Sequence, residues 1–176
     1  MNVSPLEPVT ITIRPECPAD EMALGEVTRL AFLSHPRSSH TEQFIVDALR
    51  DADALAISLV AEQSGQVVGH IAFSPVTISD DTSGWFGLGP VSVLPSAQKQ
   101  GIGRALIERG LSLLRERGAA GCVLLGEPSF YGRFGFANTP RLVLSGVPQE
   151  FFLALSFGSG FPQGEVIYHA AFSAEG

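Results

Sequence analysis

The stretch LGPVSVLPSAQKQGIGRAL, Leu88 to Leu106, reads without a break as strand, glycine loop and helix start. Gly101 and Gly103 bracket one residue immediately ahead of an apolar helical pattern, so the N–H groups of Gln98 to Arg104 can turn inward with no side chain in the way. A helix N-terminus beside them adds free donors and the positive end of its dipole, which is the physical basis of phosphate binding. Lys99 and Arg104 set positive charge next to the loop, although solvated helix-start charges look the same. Two common phosphate loops do not fit. A Walker A loop needs Ser or Thr after Gly-Lys, where this chain has Arg104 and Ala105; a dinucleotide fingerprint needs a third small residue, where Leu106 stands. Alone, the glycine pair is equally compatible with an ordinary tight turn.

The pattern that does fit is Gln-x-x-Gly-x-Gly, at Gln98, Gly101 and Gly103, and a second motif follows it in VLLGEPSFYGRFGF, Val123 to Phe136. On these residues the chain resembles the GNAT superfamily of N-acetyltransferases, and its wording resembles the YhbS-like branch of predicted bacterial acetyltransferases. The resemblance is specific for the cofactor half. It extends loosely to Tyr168, His169 and Phe172 and is thin for the acceptor half.

The resemblance implies an α/β, GNAT-like acyl-CoA N-acyltransferase fold, with a mixed central sheet whose parallel fourth and fifth strands splay apart between flanking helices. It implies one domain over residues 1–176, acting as an acetyl-CoA-dependent N-acetyltransferase on a primary amine of a small molecule or a protein. In that family the loop of Gln98, Lys99, Gln100, Gly101, Ile102, Gly103 and Arg104 wraps the pyrophosphate of acetyl-CoA. The backbone of Val91, Ser92 and Val93 binds pantetheine and polarises the thioester carbonyl, and Tyr131 protonates the leaving thiolate. Many relatives carry asparagine near the start of the helix that holds Tyr131; here Ser129 is the substitute hydroxyl.

Composition narrows the partners. A chain of 176 residues, 45% hydrophobic and 16% charged, is long enough for one good core and short for two. The net charge of −7 and the lack of a basic stripe argue against nucleic acid. No apolar segment is long enough to span a membrane and no secretory signal opens the chain, which fits a cytoplasmic protein. A homodimer stays open. Of the two cysteines, Cys122 opens an apolar run and reads as a small buried hydrophobe. No His, Cys or Asp spacing points to a metal, so none is expected.

Periodicity supplies the elements. Val9 to Arg14 alternates as a first strand, and Leu24, Val27, Leu30 and Ala31 mark a helix. Ser39 and Glu42 have capping-box spacing ahead of a second helix containing Ile45 and Leu49. Ala56 to Ala61 and Gln66 to Phe73 form a hairpin about Ser64-Gly65, the second strand reaching Ile78 after a break at Pro75. Trp85 to Val93 is a strand with Pro90 at an edge or bulge. The helix from Ile102 to Arg117 stops at Gly118, and Cys122 to Leu125 then completes a parallel crossover. Phe151 to Ser156 and Glu165 to Ala170 are expected to pair antiparallel, with residues 1–8 and the last few frayed.

Acyl transfer to an amine needs a held donor, a neutral amine, a hydrogen bond to the carbonyl oxygen and a proton for the leaving group. The competing role for Tyr131 is a buried aromatic whose hydroxyl bonds to backbone, since Phe130, Phe134 and Phe136 surround it. The strand from Trp85 to Val93 has no carboxylate to serve as base. Glu127, just past a strand end, is the candidate, against a plain charge at the start of a short helix; Glu42 reads first as a cap and second as an acceptor contact. His35, His40, His70 and His169 show no partner in the sequence. The rival from another class is a non-catalytic acyl-CoA sensor that keeps the loop without acceptor chemistry.

Overall fold

In the computed structural model, residues 9–158 and 160–176 are described; the expected fraying of residues 1–8 lies outside them. The elements are β1 (Ile11–Pro15), α1 (Glu21–Phe32), α2 (Glu42–Asp51), β2 (Ile57–Gln63), β3 (Gln66–Pro75), β4 (Thr77–Ile78), β5 (Trp85–Val93), α3 (Ile102–Glu116), β6 (Gly121–Leu125), α4 (Pro128–Tyr131), β7 (Leu142–Val143), β8 (Phe152–Ser156) and β9 (Gly164–Ile167). Six strands form one mixed sheet in the order β1-β2-β3-β5-β6-β8, and three short ones form a second in the order β4-β9-β7. The splayed fourth and fifth strands of the expectation are β5 and β6, because the two-residue β4 leaves the main sheet.

Ser64 and Gly65 both take left-handed backbone, φ 51° and 77°, and this matches the twist of the β2–β3 hairpin they close. β5 and β6 are parallel, joined through α3. Their pairing stops early, running from Trp85↔Gly121 to Gly87↔Val123. β5 nevertheless continues along β3 to Val93, with a register shift between Phe73↔Leu88 and Ile71↔Val91. The residues left over on β5 are Gly89 and Pro90. Proline has no N–H to give a ladder, so it belongs in a bulge, and the bulge bends β5 away from β6.

α3 lies on one face of the sheet, burying Ile102, Leu106, Ile107 and Leu114 against Leu59, Ile71, Phe73 and Leu88. Each fully buried side chain of this kind contributes roughly 1.5–3 kcal/mol. α1 covers the opposite face with Leu24, Val27 and Thr28. The alternation of β5 shows the two sides: Ser92 points to Thr28 of α1, whereas the side chain of Val93 lies towards Gly103 of α3.

Three expectations need correction. The capping box does not form: Thr41 is the N-cap of α2 and makes no side-chain cap bond. Ser39 Oγ instead meets Thr41 Oγ1, while Ser38 Oγ donates to Glu42 Oε1 at 2.7 Å. β8 and β9 do not pair either. β8 runs antiparallel to β6, and β9 lies between β4 and β7, so the loop after Ser156 carries the chain to the second sheet. The C-terminal stretch folds back as a 3-10 turn at Ala170–Ser173, because Ala171 and Phe172 close the apolar face of α2 at Ile45 and Leu49.

Candidate active site

The parting of β5 from β6 leaves one bank of β5 unpaired. Leu94 N–H donates to Val68 O at 2.8 Å, and His70 stands opposite Ser92. Alternation along an antiparallel pair then turns the N–H and C=O of Ser92 towards β3 and those of Val91 and Val93 into the gap. Gln98 Nε2 takes up the Val93 carbonyl at 3.1 Å, which ties the loop to the end of the strand. What remains on this bank is an open strand edge, able to hydrogen-bond an extended chain laid along it. Ser92 is not part of that edge. Its side chain is buried under α1, 3.4 Å from Thr28 Oγ1, and its amide faces the ladder.

The loop continues from this edge. Lys99 and Gly101 take left-handed backbone, φ 62° and 81°, on either side of Gln100, a geometry that turns successive N–H groups to one side. No side chain caps α3. Ala105 N–H reaches Gly101 O at 3.0 Å, so the amides of Ile102, Gly103 and Arg104 precede the first intrahelical bond and are free for a ligand. At Gly103 a Cβ would meet only Val93 Cγ2, at 3.8 Å. The other loop residues divide. Ile102 is a core residue that offers the loop only its amide. Gln100 Oε1 accepts from Gln63 Nε2 at 3.4 Å, and Arg104 Nε donates to Glu108 at 2.8 Å on the exposed side of α3.

Tyr131 ends α4, beside the gap beyond β6. Its ring is held edge-on by Phe130 and Phe136, with centroids at 4.9 and 6.2 Å, and packs against Gly126, where no Cβ would fit. Among the described residues its hydroxyl has no hydrogen-bond partner, so the alternative of a backbone-bonded core tyrosine loses its defining contact. Burial pushes its hydroxyl up to about 12, which keeps the proton in place at neutral pH. Ser129 is exposed on the first turn of α4. Glu127 precedes it, 59% exposed, with Arg37 Nη1 at 3.3 Å from its carboxylate. It makes no side-chain cap bond to α4.

Sequence reading missed two groups here. Arg37 leaves the α1–α2 connection to reach Glu127 and also stacks 4.3 Å over the Phe151 ring, strapping that connection across the end of β6. His70, which showed no partner in the sequence, is fully buried with Nε2 2.7 Å from Ser58 Oγ and 3.6 Å from Glu16 Oε2; Arg50 donates to both Glu16 oxygens. Alternation along β2 and β3 puts Ser58 and His70 on one face, but nothing in the sequence brings Glu16 and Arg50 to them.

The family follows from comparison with known proteins. The model of the acetyltransferase (GNAT) family matches residues 24–136. The chain belongs to the GNAT acetyltransferase family. It is 38% identical over 125 residues, 70% of this chain and 72% of the relative, to the uncharacterized N-acetyltransferase YhbS of Escherichia coli. A crystal structure of YhbS in complex with CoA covers all of this chain and 98% of its own, at 31% identity and a TM-score of 0.87. A GNAT acetyltransferase from Brucella melitensis, solved in complex with acetyl-CoA, is 52% identical, with 93% and 98% coverage and a TM-score of 0.83. The GNAT fold expected from the glycine loop is therefore the observed one. No helix among the described residues is long and apolar enough to cross a membrane, and none of their His, Cys, Asp and Glu side chains form a group suited to a metal.

Proposed function

We propose that this GNAT acetyltransferase passes the acetyl group of acetyl-CoA directly to a primary amine within a ternary complex. The observation that carries the reading is the continuity of two unpaired backbone surfaces: the Val91–Val93 edge and the uncapped amides of Ile102, Gly103 and Arg104. A pantetheine arm fits the first as an added strand, and a pyrophosphate fits the second. Acetyl-CoA, bound in this way, brings an activated thioester. Val91 and Val93 orient it, Gln98 holds the loop to the strand, and Lys99 and Arg104 add charge beside the phosphates. Ser129 is placed to offer a hydroxyl from α4. Tyr131, protonated and unpartnered, holds the proton that the leaving sulfur needs.

Direct transfer is favoured by the cysteines. Cys122 is fully buried and burial pushes its thiol up, away from the thiolate form a nucleophile needs. Cys17 is exposed at the start of the turn before α1, outside the gap. The deciding experiment pairs calorimetric titration of acetyl-CoA with thiol release against a panel of small amines and peptides. Turnover with any amine supports the enzyme. Tight acetyl-CoA binding with no thiol release across the panel would instead make the chain a sensor.

A further inference from the structure

A donor laid along the Val91–Val93 edge as an added strand keeps its thioester carbonyl near the plane of the sheet, and a nucleophile approaches a carbonyl from above or below its own plane. The amine therefore arrives from one of the two faces of the sheet. One face is taken: α3 and Tyr131 pack into the cluster that holds Cys122 and Leu124 of β6. Val123, between them on β6, points the other way, into the cluster of Trp85, Phe152 and Val166, and Tyr168 packs there.

Tyr168 directly follows β9. Its ring lies against Gly87, where no Cβ would fit. Gly87 pairs with Val123 as the last residue of β5 in register with β6, so the ring stands at the fork where the gap opens. Phe172 meets the ring edge-on at 4.9 Å and holds it from the side. The two tyrosines thus stand on opposite faces of one fork, Tyr131 with α3 and Tyr168 on the free side.

Like that of Tyr131, the hydroxyl of Tyr168 has no hydrogen-bond partner among the described residues. Burial, with the Cys122 thiol nearby, pushes it well above the ordinary tyrosine value, so its own proton stays in place. Ser74 stands directly opposite Gly87 on β3, its side chain on the face that the ring covers, and its Oγ is fully buried with no partner. Two hydroxyls left unbonded at one place in a core carry a cost, and they call for a polar group that arrives with a ligand.

We propose that Tyr168 is the contact that aims the acceptor nitrogen: its hydroxyl oxygen accepts an N–H from the neutral amine and so turns the nitrogen lone pair towards the thioester. The inference rests on the acetyltransferase reading and adds to it the residue that orients the nucleophile. The tyrosines then divide the work. Tyr131 holds a proton for the sulfur, and Tyr168 keeps its proton and only accepts.

The test tethers the acceptor group to the cofactor, so that the natural amine need not be known. The probes are coenzyme A alkylated on sulfur with an N-butylacetamide group and the matching butyl ester, which has the same shape and no N–H. Isothermal titration should show the wild type binding the amide about three- to tenfold more tightly than the ester, the worth of one hydrogen bond. Tyr168→Phe keeps the ring and should bind the two equally, with plain CoA affinity and melting temperature unchanged. With any amine found to turn over, Tyr168→Phe should raise its KM about three- to tenfold and change the KM for acetyl-CoA by less than about twofold, whereas Tyr131→Phe slows the chemical step. The same amide-to-ester ratio in both proteins, no amide preference in the wild type, or a Tyr168→Phe protein whose plain CoA affinity falls as far as its amide affinity overturns the proposal. An amide preference that Tyr168→Phe abolishes, with no thiol release from any amine, would sink the enzyme reading and leave the Tyr168 contact standing.

Discussion

Replacing Gly103 with valine separates binding from stability more cleanly than any other change in the loop. Gly103 is the second residue of α3, φ there is not in the left-handed region, and a Cβ would find only Val93 Cγ2 at 3.8 Å. The fold therefore has room for the side chain. Valine is also a slightly better helix former than glycine, so stability should change by less than about 0.5 kcal/mol and the melting temperature by less than about 2 °C. The same side chain projects into the space in front of the Ile102, Gly103 and Arg104 amides, where the phosphates are proposed to sit. Hydrogen bonds from amides to a charged group are worth about 1.5–3 kcal/mol each, and displacing the ligand from two of them should weaken CoA binding by at least about 100-fold. Isothermal titration of CoA into both proteins at one ionic strength measures this directly. Gly101→Ala serves as the converse control: its φ of 81° penalises any side chain, so about 1 kcal/mol of stability should be lost. A folded Gly103→Val protein that binds CoA within about threefold of wild type would refute the assignment of the phosphate to these amides.

Tyr131→Phe removes a hydroxyl with no hydrogen-bond partner, so the melting temperature should hold while single-turnover acetyl transfer slows by about 10²–10⁴-fold; an unchanged rate would take Tyr131 out of the mechanism. Burial alone would raise the Glu16 carboxyl, yet the neighbouring His70 and the hydrogen bonds from Arg50 and Ser58 bring it down to about 2 from 4.5. Its contribution to stability is then complete above pH 4.5 and lost as the pH falls towards 2, so the gap in urea midpoint between wild type and Glu16→Gln should narrow over that interval, and a constant gap would contradict the pairing. Gly110→Ala puts a methyl into the Phe73 ring and should cost about 1–3 kcal/mol in spite of its better helix propensity, read as a lower denaturation midpoint. In native protein a thiol reagent should titrate exposed Cys17 and leave Cys122 unmodified until the chain unfolds.

The sequence by itself determined the features that depend on neighbours along the chain. Strand, glycine loop and helix are contiguous from Leu88 to Leu106, so local backbone freedom and helical periodicity sufficed to place the loop and the parallel crossover. The Ser64-Gly65 hairpin and the bulge at Pro90 were legible for the same reason, each resting on what one or two residues can do with φ or with a missing N–H. Tertiary structure decided what depends on separation. Whether Val91, Ser92 or Val93 faces the gap follows from register against β3, which a run of valines and serine leaves undetermined. The capping-box spacing at Ser39 and Glu42 was satisfied in sequence, but Ser38 engages Glu42 and Thr41 is the N-cap, because the path of the connection and not residue spacing decides which hydroxyl reaches the carboxylate. β8 and β9 were expected together on proximity in the chain; burial of Val166 and Phe152 against Trp85 and Leu142 in one apolar cluster fixes them in different sheets instead. The contacts between distant segments were least legible of all. Arg37 of the α1–α2 connection meets Glu127 and Phe151, and Tyr168 after β9 lies against Gly87 of β5, and only packing around a splayed sheet brings these together, since no local rule couples residues so far apart.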